Sequence, residues 1–429
     1  MRKFRVWAGL VAIFAAVSLV GCGGHGSSDT ANVRLVNATL THASINLLAN
    51  SSAVVSDVAI NTVSNYSGAN TGSIALQVND ATTNTVLATT APTLSGSQHY
   101  AVIAYESGGT VRTALIQEDT AAPASGTANL RVFNTATDAG AVDVYVVDPS
   151  TDLSTISSPT FSFPGSSSTA ATGFLSLAPG TYRLVVTGAG NKADVRLDIP
   201  SFDIASQQNA TVLLTPTTGG TLANGAVLIE QGSYTATPNT NVRVRVVAAV
   251  TGGATVAASA GATPIGTVTS PSVGAYTVVP SGAALNITVN GASVAAPATP
   301  LAAGSDETLL VYGNAAAPVA NLIADDNHLP TVVTNFKIRL VNGLTGAAPP
   351  LTLNANFGVV ASNVAPGTAS AYGVVGASVA TRLDVLSPSS PTPLYSESNL
   401  NVPGNAVYTL FMLGDAGAAK PIVLLQRDH

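Results

Sequence analysis

Charge, aromatic side chains and cysteine are all scarce in this chain of 429 residues. Charged residues make up 9% of the sequence and aromatic residues 5%, the net charge is −6, and there is one cysteine. Average soluble proteins are about 25% charged, so the polar surface here has to be built mainly from Ser, Thr, Asn and Gly. The absence of a basic stripe argues against a nucleic-acid partner. A single cysteine, Cys22, excludes an intramolecular disulfide, so sheet pairing and aliphatic cores have to provide the stability.

The first 22 residues predict a secretory signal peptide that ends at a lipid-attachment site. Arg2, Lys3 and Arg5 precede an apolar stretch of 14 residues, 6–19, which is too short for a bilayer that needs about 20. The stretch ends in Leu19-Val20-Gly21-Cys22, which resembles the bacterial lipobox. That resemblance implies cleavage before Cys22 and acylation of its thiol.

The mature chain is therefore expected to be anchored to the cell envelope by lipid on Cys22. Glycine, and not aspartate, follows the cysteine, which by analogy with enterobacterial sorting favours the outer membrane. Residues 22–31 are small and polar and predict a flexible tether. Removal of residues 1–21 takes away three cations and leaves 13 Lys and Arg against 22 Asp and Glu, a net charge of −9.

Four segments of the mature chain show the same order of features, which predicts four copies of one unit. Each segment opens with an alternating strand that carries arginine, continues through a loop-rich stretch to a single aromatic residue, and closes on a strand that ends in acidic residues. The opening strands start 96 to 112 residues apart. The arginines are Arg34, Arg131, Arg243, Arg245 and Arg339; the aromatic residues are Tyr66, Phe174, Tyr276 and Tyr372; the closing acidic residues are Glu118, Asp119, Glu230, Asp325, Asp326 and Asp428.

This pattern predicts an all-β protein, a tandem array of four immunoglobulin-like β-sandwich domains after a signal peptide. Short strands with turns between them fit a sandwich, and no part of the mature chain shows a sustained helical spacing of apolar residues. The sandwiches are expected at 32–119, 128–232, 241–326 and 336–429. Proline-bearing linkers at 120–127, 232–240 and 327–335 are expected to hold the units apart in a row.

Three phrases of unit 2 resemble a known family. They are Asn-Leu-Arg-Val-Phe-Asn at 129–134, Ala-Val-Asp-Val-Tyr-Val at 141–146 and Leu-Ala-Pro-Gly-Thr-Tyr at 177–182. Together they resemble the bacterial domain-of-unknown-function family 4397. Unit 2 matches best, unit 1 keeps the opening strand, and units 3 and 4 are more diverged. The resemblance implies a β-sandwich exported to the cell envelope and brings no functional residues with it.

No motif in the sequence predicts catalysis, a cofactor or a metal site. There is no H-E-x-x-H, C-x-x-C or G-x-S-x-G, and the glycine pairs are interpreted as turn glycines because no helix or lysine follows them as a phosphate loop requires. The histidines are interpreted as solvated or loop residues: His25, His42, His99, His328 and His429.

Two recurring charge patterns admit a second interpretation. The closing carboxylates fall at unit junctions, where clustered oxygens can bind Ca²⁺; otherwise they are solvated charges at strand ends. The opening arginines could form a ligand-binding stripe. The favoured interpretation is that they are outward residues that protect an edge strand from pairing with other chains.

These features predict a non-enzymatic cell-envelope lipoprotein that acts as a structural spacer, an adhesion element or an assembly element. The expected partner is the membrane, through the N-terminal lipid. The alternative is a binding module for a glycan or an envelope protein that uses loops at the ends of the sandwiches.

Overall fold

The computed structural model describes residues 30–165, 169–346, 349–415 and 421–429. The predicted signal peptide, Cys22 and nearly all of the predicted tether lie outside these residues. The only helices in the described ranges are two short 3-10 turns, Thr137–Ala139 and Leu153–Thr155. None of the described helices is long and apolar enough to cross a membrane.

The described strands of the first half of the chain form two groups, units 1 and 2. Unit 1 contains β1 (Ala31–Ala38), β2 (Ser44–Ala49), β3 (Ser52–Ala59), β4 (Thr62–Val63), β5 (Ser67–Ala69), β6 (Gly72–Ser73), β7 (Leu76–Asp80), β8 (Val86–Thr90), β9 (Thr93–Leu94), β10 (His99–Ser107) and β11 (Thr110–Gln117). Unit 2 contains β12 (Ala128–Asn134), β13 (Ala141–Val147), β14 (Phe161–Pro164), β15 (Ala170–Ala171), β16 (Leu175–Leu177), β17 (Gly180–Gly188), β18 (Asn191–Ile204), β19 (Asn209–Pro216), β20 (Ala223–Ile229) and β21 (Tyr234–Thr237).

The second half of the chain forms units 3 and 4. Unit 3 contains β22 (Asn241–Val250), β23 (Thr255–Ala260), β24 (Thr263–Thr269), β25 (Ser272–Val273), β26 (Thr277–Pro280), β27 (Leu285–Val289), β28 (Ala292–Val294), β29 (Asp306–Asn314) and β30 (Ala317–Asp325). Unit 4 contains β31 (Asn335–Thr345), β32 (Leu351–Ala355), β33 (Gly358–Val364), β34 (Thr368–Ala369), β35 (Gly373–Gly376), β36 (Ser378–Leu386), β37 (Tyr395–Val402), β38 (Ala406–Asp415) and β39 (Ile422–Arg427).

All four units share the same two main sheets, to which unit 1 adds the two-stranded sheet β6-β9. The shared topology confirms the predicted sandwich architecture. In one sheet the opening strand lies in the middle and runs parallel to a late strand of the unit; these parallel pairs are β1 with β10, β12 with β19, β22 with β29 and β31 with β38. We call this sheet the pairing sheet. The other sheet, the outer sheet, has the strand orders β3-β2-β7-β8, β14-β13-β17-β18, β24-β23-β27-β28 and β33-β32-β36-β37.

Each sandwich has its own aliphatic core between its two sheets. The four cores draw their buried residues from 31–104, 128–229, 242–311 and 336–412. The strands of the outer sheets alternate inward apolar and outward polar residues, as in β32, because successive side chains point to opposite faces of a sheet. Ala31 is fully buried in β1, so unit 1 begins one residue inside the predicted tether.

The units are not separate beads, because the pairing sheets of neighbouring units pack face to face. Between units 1 and 2, Ile103 and Ile116 lie in one buried cluster with Leu213 and Leu228. Units 3 and 4 share a second such cluster; its fully or nearly fully buried members are Val247, Ala249, Leu310, Val341, Phe411 and Leu413. The expectation of a row of spaced beads is therefore wrong. In each pairing sheet, the face that points away from its own sandwich core is also apolar. Another surface therefore has to cover it.

The predicted linkers are packed segments and do not act as spacers. Thr120 donates its backbone N–H (3.1 Å) and its hydroxyl (3.0 Å) to the Glu230 carboxylate, and the second linker contains β21, which pairs with β20. In the third, Asn327 is fully buried and donates its backbone N–H to the Gly219 carbonyl at 3.0 Å. Gly219 has no room for a side chain there, since an added Cβ would lie 2.4 Å from the Asp306 nitrogen.

The turn between β32 and β33 is strained at an exposed phenylalanine. Asn356 and Phe357 both have positive φ, +48° and +69°, and Phe357 is 76% exposed. A bulky residue is unfavourable in this left-handed conformation, whereas glycine adopts it freely. We expect Phe357→Gly to raise the free energy of unfolding by about 1 kcal/mol. Chemical denaturation of the mature chain measures this, with Val359→Gly in the adjacent strand as the control that should destabilise. If Phe357→Gly lowered the free energy of unfolding, the claim of backbone strain at Phe357 would be contradicted.

Candidate functional site

The three features that recur in the sequence of every unit meet in the structure. The aromatic residue lies in each unit at a break between two short strands that pair with the opening strand, for example Tyr66 between β4 and β5. At this break its ring faces the guanidinium of the opening strand. The distances from the guanidinium carbon to the ring centre are 5.0 Å for Arg34 and Tyr66, 4.5 Å for Arg131 and Phe174, 4.5 Å for Arg245 and Tyr276, and 4.7 Å for Arg339 and Tyr372.

In units 1 and 2 the closing carboxylate pairs with the arginine of its own unit. Arg34 donates its Nε to Glu118 Oε2 at 2.8 Å, and its terminal nitrogens donate to the Gly232 and Ile229 carbonyls of unit 2, at 2.7 and 3.0 Å. Arg34 thus holds its own unit closed and also binds the neighbouring unit. A buried guanidinium needs this complete set of acceptors, because an unpaired buried charge is strongly unfavourable.

In units 3 and 4 the carboxylates are exchanged between the two units. Arg245 of unit 3 pairs with Asp428 of unit 4, and Arg339 of unit 4 pairs with Asp325 of unit 3. Burial by itself lowers the pKa of Arg339, but Asp325, Tyr372 and Asp428 together outweigh burial and raise it. The two pairs cross the interface in opposite directions, as related contacts do across a two-fold axis.

The interpretation of the arginines as edge guards is wrong. The opening strand lies in the middle of the pairing sheet, so it has no free edge to protect. Four of the five arginines are buried, and Arg131 is partly buried. Their charge is compensated by carboxylates and aromatic faces, and cation–π contacts are strongest where water is excluded.

The junction carboxylates contact cationic or hydroxyl groups of the protein. Glu118 and Asp325 accept from arginine and tyrosine, Glu230 from Thr120 and Arg131, and Asp326 from His328 and Lys337. Within the described ranges no three His, Cys, Asp or Glu residues lie close enough to hold a metal ion. Where a junction Ca²⁺ would have to bind, arginine, lysine, histidine and hydroxyl groups of the protein already contact the carboxylates.

Two of the five histidines lie where the two pairs of units meet, and each is within hydrogen-bond distance of a backbone carbonyl there. His328 Nδ1 lies 2.6 Å from Asp326 and its Nε2 lies 3.0 Å from the Thr217 carbonyl of unit 2. His429 Nδ1 lies 2.8 Å from the Asn327 carbonyl. His42 and His99 pair with Asp80 and Asp119 in unit 1, and His25 lies outside the described residues.

These two histidines have opposite pKa shifts. Burial opposes the charge of His328, but the hydrogen bond to Asp326 and the nearby Asp138 carboxylate raise its pKa above 6.5, with Lys337 acting against them. Burial lowers the pKa of His429 to about 4, only partly opposed by its hydrogen bond to Asn327. The surroundings of His328 thus favour its charged form, and those of His429 favour its neutral form.

The shifts predict a separable pH dependence of stability. The raised pKa of His328 stabilises the fold fully below pH 6.5. This contribution to the free energy of unfolding is lost as the pH rises through the folded-state pKa. The lowered pKa of His429 has the opposite effect. It reduces the free energy of unfolding by on the order of 2–3 kcal/mol as the pH falls from 6.5 to about 4. We expect His328→Gln to remove a loss of melting temperature above pH 6.5, and His429→Gln to remove a loss below it. His42→Gln is the control. Parallel melting curves for all variants from pH 4 to 9 would contradict this.

A groove lies where units 2, 3 and 4 meet. It consists of two adjoining cavities of about 610 and 390 Å³, and we call it the junction groove. Asn191 and Asp194 of unit 2 and Arg427 of unit 4 line both cavities, and Arg243 and Tyr276 of unit 3 line the larger one. Ligand sites typically have volumes of about 300–1,000 Å³, so the groove has the size of a small-molecule or oligomer site.

Sequence reasoning missed the groove and the paired faces. One signal was present: the residues of β38 from Ala406 to Leu413 are nearly all apolar, on both faces of the strand, and all are buried. A continuous apolar run is typical of a strand covered on both sides. Nothing local indicates which surface covers it, so the groove between the covered units could not be located.

One family model matches part of the chain. Residues 31–145 match the family described as Domain of unknown function (DUF4397), which confirms the resemblance stated from the sequence. The match covers unit 1 and, in unit 2, β12 and most of β13, whereas the sequence phrases placed the best resemblance in unit 2, at 129–182. No curated protein matches the chain.

Two solved structures that match the chain are distant from it in both sequence and structure. A candidate cell adhesion protein from Bacteroides uniformis is 12% identical, with a TM-score of 0.22; the alignment covers 48% of this chain and 99% of that one. A product complex of SpuA, a multi-modular glycogen-degrading pneumococcal virulence factor, is 9% identical with a TM-score of 0.16, over 62% of this chain and 37% of that one. Likenesses this weak have no bearing on function.

Proposed function

We propose that the protein is a non-enzymatic lipoprotein of the cell envelope that acts in adhesion or binding, anchored through acylated Cys22. Its four sandwiches form one block, held together by apolar faces, by hydrogen bonds between units and, in units 3 and 4, by buried ion pairs. The observation that carries the proposal is the combination of a lipobox-like Leu19-Val20-Gly21-Cys22 with pairing sheets that pack on each other. Such a block presents loops and a groove to a ligand, whereas face-to-face pairing shortens the reach that a spacer requires.

The anchor is tested by fractionation and mass spectrometry. Wild-type protein is expected in the outer-membrane fraction, with an acylated N-terminal peptide that begins at Cys22. Cys22→Ser should leave the signal uncleaved by the lipoprotein route and should remove the acyl mass, while Ser27→Ala, in the same segment, should change neither. An unmodified residue 22 in native membranes would overturn the anchored form of the proposal.

Adhesion is tested on whole cells. Cells that carry the wild-type protein are expected to bind glycan-coated or matrix-coated surfaces more than deletion cells do, and mild protease treatment of intact cells should abolish the difference. Equal binding by deletion cells would overturn the adhesion function. Complete protection from protease in intact cells would place the block on the periplasmic side and restrict its ligands to that compartment.

A further inference from the structure

We infer that the junction groove binds an acidic oligosaccharide, a glycan whose sugar rings carry carboxylates. The inference rests on the proposed binding function and assigns a ligand class and a site to it. It differs from the sequence-based alternative, which placed glycan binding in loops at the ends of the sandwiches. The groove instead lies between units, and it exists because the units pack on one another.

The charge of the groove is opposite to the charge of the protein. The whole chain has a net charge of −6, and 12 of its Lys and Arg residues fall within the described residues. Four of those twelve line the junction groove: Arg196, Arg243, Arg245 and Arg427. Two carboxylates, Asp194 and Asp428, also line it, so the groove has an excess of two positive charges. A concave site whose net charge is opposite to that of the surrounding surface concentrates ligands of complementary charge. An anion is therefore favoured in the groove although the rest of the surface repels it.

Two of these guanidinium groups keep donors that the protein does not use. Arg243 donates its Nη1 to Asp306 at 2.8 Å, and Arg427 donates its Nε to the His429 carbonyl at 2.9 Å. The described residues supply no other acceptor to either side chain. The planar guanidinium group can then bind a carboxylate through two parallel hydrogen bonds.

The position of Arg243 is set before any ligand arrives. Its guanidinium carbon lies 4.3 Å from the centre of the Tyr276 ring, and Arg245 lies 4.5 Å from the same ring. Tyr276 in turn donates its hydroxyl to Asp325 at 2.5 Å. A donor fixed in this way loses little conformational entropy when it binds a ligand, which increases affinity.

The remaining polar groups of the groove suit sugar hydroxyls. The Gln426 amide and the Asn191 Nδ2 group line the larger cavity, and neither has a hydrogen-bond partner among the described residues. Amides both donate and accept, as hydroxyl groups do. A uronic-acid chain carries both carboxylates and hydroxyl groups. The arginines of the groove can bind the carboxylates, and the neighbouring amides can bind the hydroxyls.

The test uses tetragalacturonate as the probe and its neutral methyl ester as the comparison, titrated calorimetrically into the mature chain. We expect the acid to bind at least tenfold more tightly than the ester. Arg427→Gln should weaken binding of the acid by about tenfold, the effect of losing one charge-assisted contact. Arg427 is exposed, so the variant should fold; its melting curve checks this. Arg112→Gln, an exposed arginine outside the groove, should leave the affinity unchanged.

Four outcomes would overturn the inference. They are equal affinity for acid and ester, unchanged affinity in Arg427→Gln, tighter binding of a poly-glutamate peptide than of tetragalacturonate, and no binding of tetragalacturonate at millimolar concentration. Gln426→Ala provides a second variant that carries no change in charge, and it should weaken binding of both acid and ester. If tetragalacturonate does not bind but Cys22 is acylated and adhesion is intact, only the inference about the junction groove is wrong. If Cys22 is not acylated or adhesion is absent, the proposed function is wrong instead.

Discussion

Arg339→Met is expected to lower the free energy of unfolding by about 3–5 kcal/mol, the cost of leaving a buried charge without its partner. Arg339 is 1% exposed; it pairs with Asp325 and donates to the Ala324 carbonyl at 2.9 Å and to Thr409 at 3.1 Å. Methionine keeps the apolar stem, but it removes the close cationic partner of the buried Asp325 carboxylate and leaves it, as a cation, only the more distant Arg245 Nη2 at 3.6 Å. Chemical denaturation of the mature chain, followed by near-ultraviolet circular dichroism, measures the loss.

Arg382→Met is the matched control for that experiment. Arg382 pairs with Asp384 at 2.8 Å, but its side chain is 36% exposed, and surface pairs contribute only about 0–1 kcal/mol. Similar small losses in both variants would mean that the charges of Arg339 and Asp325 are solvated and that units 3 and 4 are not closed on each other. Arg339→Met combined with Asp325→Leu should recover part of the loss, because no buried carboxylate is then left unpaired.

Phe411→Ala is expected to cost about 3–5 kcal/mol, as large-to-small changes in a core do. Phe411 is completely buried, but the cluster that buries it lies between units 3 and 4 and not within either sandwich. Its ring also contacts Arg245, whose guanidinium carbon lies 5.0 Å from the ring centre. The variant therefore tests the pairing of units and leaves each sandwich core unchanged.

Phe357→Ala supplies the control of the same residue type. Phe357 is exposed, so truncation there should change the free energy of unfolding by less than about 1 kcal/mol. If the units were independent, Phe411 would lie on a solvated face. Truncation of Phe411 and of Phe357 would then have similarly small effects on the free energy of unfolding. A loss below about 0.5 kcal/mol in Phe411→Ala would contradict the paired arrangement.

The fold of each unit was predictable because its signals are local. Alternation in segments such as Asn129–Asn134 and the turns that separate them follow from the period of a strand. The recurrence of arginine, aromatic residue and closing carboxylate could be identified in the same way, since each copy repeats at a constant position. These patterns established the sandwich and the number of copies, and the family match to residues 31–145 confirms the resemblance drawn from them.

The interpretation of the arginines failed for a physical reason. Alternation says that Arg34 and its neighbour Leu35 point to opposite faces, but it does not say whether the face that carries arginine is solvated. Nor does it distinguish a central strand from an edge strand, because that depends on partners about 65–80 residues away, such as β10 for β1. An arginine on a strand is most often exposed, and here that expectation was wrong.

By itself the sequence determined the strands, their fourfold repetition and the residues that recur in each copy, because these depend on contacts within and between neighbouring strands of one unit. Only the tertiary structure decided that the units close on each other in pairs, that Arg245 and Arg339 exchange carboxylates, and that a cationic groove forms among units 2, 3 and 4. The reason is that an apolar sheet face indicates only that some other surface has to cover it. Which surface does so depends on the shape and charge of the folded units, and these exist only after each sandwich has formed.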